Sequence, residues 1–188
     1  GYVFDGYWRD VGTIQSYWQA NMDMLQSGSG LRVEEWGVKT NMVAQGEIGD
    51  RPSAYFGRPS GVKNSLVARG CEVYGKVRNS VLSPGVRVSK NAEVFESIIF
   101  HDTTIGTRSL VQRSIIDKQV QIGDSVCIGV GDLTPNKKFP KHLSTGISIV
   151  GKGADVGPGI SIGKNCIVMP DARLSARGMK DVTSGSSV

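Results

Sequence analysis

The sequence has 188 residues and a mass of 20.1 kDa, with 22 Lys+Arg against 17 Asp+Glu and a formal net charge of +5. That length holds one ordinary domain, or one small domain plus part of another, and excludes a large multidomain enzyme. Its 25 glycines, roughly double the usual share, accompany only 7 prolines and no collagen period, which points to many sharp turns in a packed protein. Three dispersed cysteines, Cys71, Cys127 and Cys166, with no C-x-x-C and only two histidines, argue against a disulfide scaffold or a zinc module. No apolar run approaches the roughly 20 residues of a membrane span, and no basic and apolar leader opens the chain. A soluble, cytoplasmic protein without a membrane partner is expected.

The charge is unevenly divided. Residues 1–61 carry 5 Lys+Arg against 7 Asp+Glu, whereas residues 62–188 carry 17 against 10. The basic second part suits a phosphate-bearing ligand. It lacks the dense basic runs interleaved with aromatics that nucleic-acid binding requires, so no nucleic-acid partner is expected.

In chain order, residues 1–28 form the first unit. Gly1 opens without a methionine onto Gly1-Tyr2-Val3-Phe4-Asp5-Gly6-Tyr7-Trp8-Arg9-Asp10-Val11-Gly12-Thr13, an aromatic, strand-like stretch leading into a helix start. Thr13 is placed as N-cap, and Ile14, Tyr17, Trp18, Met22 and Leu25 make a one-sided apolar stripe, with Gly28 placed to end it. A strand and a helix of about 12 residues cannot bury that face alone. They therefore belong to a larger upstream body or pack on the rest of this chain, and the sequence reads as a fragment. Residues 29–61, with isolated Trp36, Tyr55 and Phe56, read as a crossing segment or linker.

From residue 62 to 176 a period of six appears. One row reads Ala92, Ile98, Thr104, Leu110, Ile116, Ile122 and Ile128, then Val150, Val156, Ile162, Val168 and Leu174. A second runs Ala154, Ile160, Cys166 and Ala172. Glycine follows the aliphatic residue in Ile105-Gly106, Ile122-Gly123, Ile128-Gly129, Val150-Gly151, Val156-Gly157 and Ile162-Gly163. Six matches neither the 3.6 of a helix nor the 2 of a plain strand. It matches a solenoid in which three short strand-and-turn units close a triangular coil, the aliphatic residue pointing inward and glycine easing the corner. The predicted fold is mainly β, a left-handed parallel β-helix of hexapeptide repeats. The rhythm breaks from Val130 to Gly146, where two prolines and Lys137, Lys138, Lys141 and His142 mark a basic loop expected to project from the coil. Residues 177–188 read as a tail.

Two stretches carry a family resemblance. Gly6-Tyr7-Trp8-Arg9-Asp10-Val11-Gly12-Thr13 with Tyr17-Trp18-Gln19-Ala20-Asn21-Met22-Asp23 resembles the end of the catalytic domain of glucose-1-phosphate adenylyltransferases, the ADP-glucose pyrophosphorylases. Asn64-Ser65-Leu66-Val67 through Ser114-Ile115-Ile116-Asp117 resembles their C-terminal β-helix. The resemblance implies that residues 1–28 are a strand-helix remnant of an α/β nucleotidyltransferase domain. The parent would join ATP and glucose 1-phosphate into ADP-glucose and pyrophosphate, toward glycogen or starch. The family's Gly-rich nucleotide loop, its pyrophosphate- and sugar-phosphate-binding basic residues and its first metal-binding aspartate lie upstream of the matching part, so this chain alone is expected to be inactive.

The resemblance also assigns residues. Asp10 would be a catalytic carboxylate and one of two aspartates that hold Mg²⁺; alone it is not expected to hold that ion tightly, because Mg²⁺ completes its shell with waters and substrate phosphates. Asn136-Lys137-Lys138-Phe139-Pro140-Lys141 is similar to a basic segment that contributes to a site for phosphorylated sugar effectors, with lysine where better-studied members have arginine, a point charge in place of a fork. Lys137, Lys138, Lys141 and His142, with Arg113, are the effector candidates. Family members are tetramers, so a homo-oligomer, dimer or tetramer, is expected. His101 supports the competing reading, a hexapeptide acyltransferase with a histidine base on a coil corner; a purely structural oligomerisation module is the third.

Overall fold

The computed structural model describes residues 1–26, 28–31, 35, 51–174 and 181–188. Trp36 and most of the expected crossing segment, together with residues 177–180, lie outside the described residues.

Inward-pointing aliphatic side chains stack in three columns, one per face of a parallel β-solenoid. The first runs Phe56, Val73, Val88, Ile105, Ile122, Val156. The second runs Val62, Val77, Val94, Val111, Ile128, Ile162, Val182. The third runs Val67, Leu82, Ile99, Ile116, Val150, Val168. The faces hold six, seven and six parallel strands, each of two or three residues, and from the second coil onward the column members are buried. β-Branched residues dominate because their stiff side chains stack in a narrow interior without losing much rotamer freedom. The paired strands begin at Tyr55–Phe56 and include Asp181–Val182, so the solenoid reaches past the expected limits of 62 and 176, and the supposed tail supplies a strand.

The strict period of six holds only in the later coils, where Val150 pairs with Val168 eighteen residues on. Earlier coils take seventeen residues, as Val94, Val111 and Ile128 show, because the step into the third face has five. A row of sixes read through residues 92–116 therefore slips. Thr104 and Leu110 point outward and are half-buried, and Ile98, though buried, faces away from the coil interior. The short step is held by a serine ladder. Ser80, Ser97 and Ser114 each donate to the carbonyl two residues back, at 2.7 Å, and Ser97 and Ser114 present their N–H to the hydroxyl of the serine one coil earlier at 3.1 Å. The hydroxyl supplies the partner that the tightened corner removes.

Glycine after the aliphatic residue serves close approach more than backbone freedom. A Cβ on Gly106 would lie 2.4 Å from the Gly123 carbonyl carbon, and one on Gly123 would lie 2.7 Å from Pro158 N. The left-handed corners fall instead on residues such as Asn79, Glu96 and Arg113, with φ of 47°, 47° and 44°.

Thr13 caps helix α1, Ile14–Asp23, in a reciprocal box with Ser16, and the helix ends at Met24, short of Gly28. Its stripe packs on the outer side of the third face. Trp18 and Met22 join Ile98, Leu143 and Ile147, flanked by Ile14, Tyr17, Leu25, Ile115 and Ile149, so this chain's own coil covers the helix. The stretch before it forms no strand, since a strand needs a neighbour for its backbone groups and none lies beside it among the described residues. It folds back on the helix end: Tyr7 Oη donates to Asp23 Oδ2 at 2.8 Å, and Arg9 Nη2 lies 2.8 Å from the same oxygen.

Candidate functional site

The loop 130–146 enters after Cys127–Ile128 and returns at Ser148–Val150, in place of one coil. It does not project freely as its composition suggested. Asn136, fully buried, donates from Nδ2 to the carbonyl of Asn165 at 2.9 Å, and its Oδ1 accepts from the N–H groups of Lys138 and Phe139 at 3.0 Å. Asn165 in turn donates to Thr134 O at 2.9 Å and accepts from Gly146 N at 2.7 Å. These two amides pin the loop against the last coils, and Leu143, fully buried, sets its return limb into the cluster that holds Trp18 and Met22.

With the backbone fixed, Lys137, Lys138, Lys141 and His142 all point to solvent, and none makes a side-chain ion pair or hydrogen bond among the described residues. Arg113 sits at the base of the same loop, where its Nε donates to Thr145 O at 3.1 Å. The five effector candidates are thus carried by one pinned loop and its root. Clustered, unneutralised cations on a rigid support attract anions, and phosphate in particular.

Asp10 lies apart, exposed on the segment before α1, and its Oδ1 accepts from Gly12 N at 3.0 Å. That bond fixes the turn into the helix. No cluster of three His, Cys, Asp or Glu suited to a metal exists among the described residues, so these residues do not by themselves fit a Mg²⁺ site; Asp10 offers one carboxylate oxygen free of protein partners. His101 is half-buried beside Asp102, and only its backbone carbonyl is engaged, by Gln119 N at 2.9 Å. Asp102 is turned away to Arg51, 2.7 Å from its Nη1, so no carboxylate orients the imidazole as a general base would require.

Residues not singled out from sequence complete the site. Trp18 donates from its indole N–H to Glu96 O at 2.8 Å, and the Arg113 guanidinium lies 4.3 Å from the Trp18 ring centroid. Glu96 and Arg113 stand one seventeen-residue coil apart, a spacing that the shortened period would have revealed. Asn136 and Asn165 carried no signal beyond being amides beside a turn.

The family described as GlmU-like, C-terminal hexapeptide, matches residues 53–150. A glucose-1-phosphate adenylyltransferase of Acetivibrio thermocellus is 42% identical over 190 residues, covering 100% of this chain and 43% of that protein. One from Thermomicrobium roseum is 42% identical over 191 residues with the same coverage. One from Clostridium botulinum is 47% identical over 100 residues, 52% of this chain and 24% of that protein. The chain therefore spans less than half the length of these relatives and corresponds to their C-terminal part.

Proposed function

We propose that this chain, which belongs to the GlmU-like C-terminal hexapeptide family, is the regulatory and oligomer-forming C-terminal part of an ADP-glucose pyrophosphorylase. The observation that carries the reading is similarity over all of this chain, the helix and the Asp10 segment included, to adenylyltransferases. Hexapeptide repeats alone would serve an acyltransferase equally well. On this reading the whole protein forms ADP-glucose and pyrophosphate from ATP and glucose 1-phosphate. Asp10 is the one carboxylate lent by this chain to a Mg²⁺ site whose other ligands lie outside it. The loop cations Lys137, Lys138, Lys141 and His142, with Arg113, receive a phosphorylated effector. The solenoid contributes to a dimer or tetramer.

The test has two arms. The complete protein should form ADP-glucose, whereas the purified 188-residue chain should form none; a complete protein that transfers acyl groups and makes no ADP-glucose overturns the assignment. In the complete protein, changing Lys137, Lys138 and Lys141 together to Ala should raise the effector concentration needed for activation by about tenfold or more, because a charge-assisted bond contributes roughly 1.5–3 kcal/mol. The KM without effector should stay close to that of the parent. An unchanged activation curve would reduce the lysines to a solvated face.

A further inference from the structure

A cavity of about 370 Å³ lies between α1 and the corners that lead into the third face, with Trp18, Met22 and Leu25 on its helix side. Its polar wall is one vertical column of corner residues, Asn64, Asn79, Glu96 and Arg113, all in the left-handed conformation with φ between 44° and 47°. Asn64 Nδ2 donates to Asn79 Oδ1 at 2.8 Å. In that lining Glu96 is the single acid and Arg113 the single base, and they face each other, Glu96 Oε2 to Arg113 Nη1 at 3.5 Å.

Arg113 is thereby held on three sides, by Glu96, by the carbonyl of Thr145 and by the face of Trp18. Two of these holds orient the guanidinium without neutralising it, and only Glu96 cancels its charge. The pair is loose, longer than a good charge-assisted hydrogen bond, and both partners are partly open to solvent, with side chains 30% and 45% exposed. Such a pair is easily broken. Removing Glu96 from it leaves the fork pointed, still stacked on the indole and still tied to the loop root.

We infer that Glu96 is a built-in counter-ion for Arg113, which an incoming phosphate must displace, so that this carboxylate sets the threshold for anion binding at the base of the basic loop. The inference rests on the reading of Arg113 as a phosphate contact. Its consequence is specificity: a singly charged anion gains little by exchanging with a carboxylate, whereas a phosphate that also reaches the lysines of the loop replaces one neutralising charge with two. Trp18 does not move out of the stack when the exchange occurs, but the electrostatic environment of its indole changes, because its N–H is bonded to the backbone of Glu96 itself.

The experiment is titration of the chain with inorganic phosphate, followed through the Trp18 indole N–H resonance, for the parent and for Glu96→Gln, Glu96→Asn and Arg113→Ala. Glu96→Asn guards against a folding defect, since asparagine already occupies the equivalent corners at Asn64 and Asn79. Both neutral variants should bind phosphate about two- to fivefold more tightly than the parent at low salt, the range of a partly exposed pair, and Arg113→Ala should abolish the shift. Unchanged or weaker binding by both folded neutral variants, or no binding by any of them, overturns the counter-ion. The loop reading fails separately. If changing Lys137, Lys138 and Lys141 to Ala leaves phosphate binding intact while Glu96→Asn still tightens it, the counter-ion stands without the loop; if the triple change abolishes binding and the Glu96 variants do nothing, the loop stands without the counter-ion.

Discussion

Single side chains here are tuned by where the coil puts them. Cys71 and Cys166 sit in the interior columns, and burial pushes both thiols up from their ordinary value. Cys127 faces outward, half-buried, with its thiol raised by the same cause. Since the thiolate is the reactive form and needs access, one thiol should react with an aromatic disulfide reagent in the folded protein, slowly, and all three after unfolding; rapid reaction of more than one would show an open coil. Asp23 is the opposite case. Burial alone would raise its carboxyl, but hydrogen bonds from Gln19 and Tyr7 and the charge of Arg9 outweigh it and hold the group below its ordinary value. A carboxylate lowered by folding stabilises fully above its unfolded value, and that contribution is lost as pH falls through the folded one. Anchoring of the Tyr7–Arg9 segment to α1 should therefore weaken below about pH 4. Asp23→Asn should cost about 1.5–3 kcal/mol at neutral pH and flatten the acid limb of a plot of urea midpoint against pH. An unaltered limb would assign the acid sensitivity to other carboxylates.

At the level of elements, the serine ladder and the helix stripe differ in how openly the sequence displays them. The stripe Ile14, Tyr17, Trp18, Met22 and Leu25 was legible because a helix repeats its burial every turn, and each of these residues does pack in the cluster under the helix. The solenoid was legible from its later coils, where six is kept without exception. Its earlier register was not, because a five-residue step has no aliphatic signature; what marks it is a serine two places before Leu82, Ile99 and Ile116, which in a sequence reads as a turn residue. The interior role of that serine is testable. Ser97→Ala removes the donor to Phe95 O and the acceptor for Ser114 N, both buried, and an unpaired buried group costs about 1–3 kcal/mol. Ser97→Ala should lower the urea midpoint accordingly, whereas Ser161→Ala, on the exposed outer side of the second face, should be within about 0.5 kcal/mol of the parent. The candidate site was half legible. Lys137, Lys138 and Lys141 announce themselves by charge density, and Asp10 and Arg113 came from family resemblance. The partners of Arg113 did not show, since Trp18 and Thr145 reach it only through tertiary packing, from far upstream and from 32 residues after it.

The molecule as a whole has one closed end and one open end. At the closed end Leu174 and Val182 are buried, and Ile167 bridges to Ser187 in the last stretch of chain. At the other end Phe56 and Val62 belong to the inward columns yet are 47% and 38% exposed, because no described strand precedes Tyr55–Phe56, Gly61–Lys63 and Leu66–Val67 on their faces. All three edges of that first coil therefore present backbone groups without a strand partner, around an uncovered apolar core end. Unpaired edges with apolar surface pair with other chains unless charged or covered. Self-association through this end is the expected outcome, a dimer or tetramer in light scattering at micromolar concentration. The paired change Phe56→Lys and Val62→Lys places like charges across any contact between two copies of this end, while removing no side chain that a following coil buries. It should release monomer and leave the β-rich circular-dichroism spectrum and the urea midpoint nearly unchanged. A parent chain that is already a clean monomer removes the premise. If the double variant instead keeps the parent's mass, the contact moves to another face, with the exposed aromatic stretch of Tyr2, Phe4 and Trp8 the next to be charged.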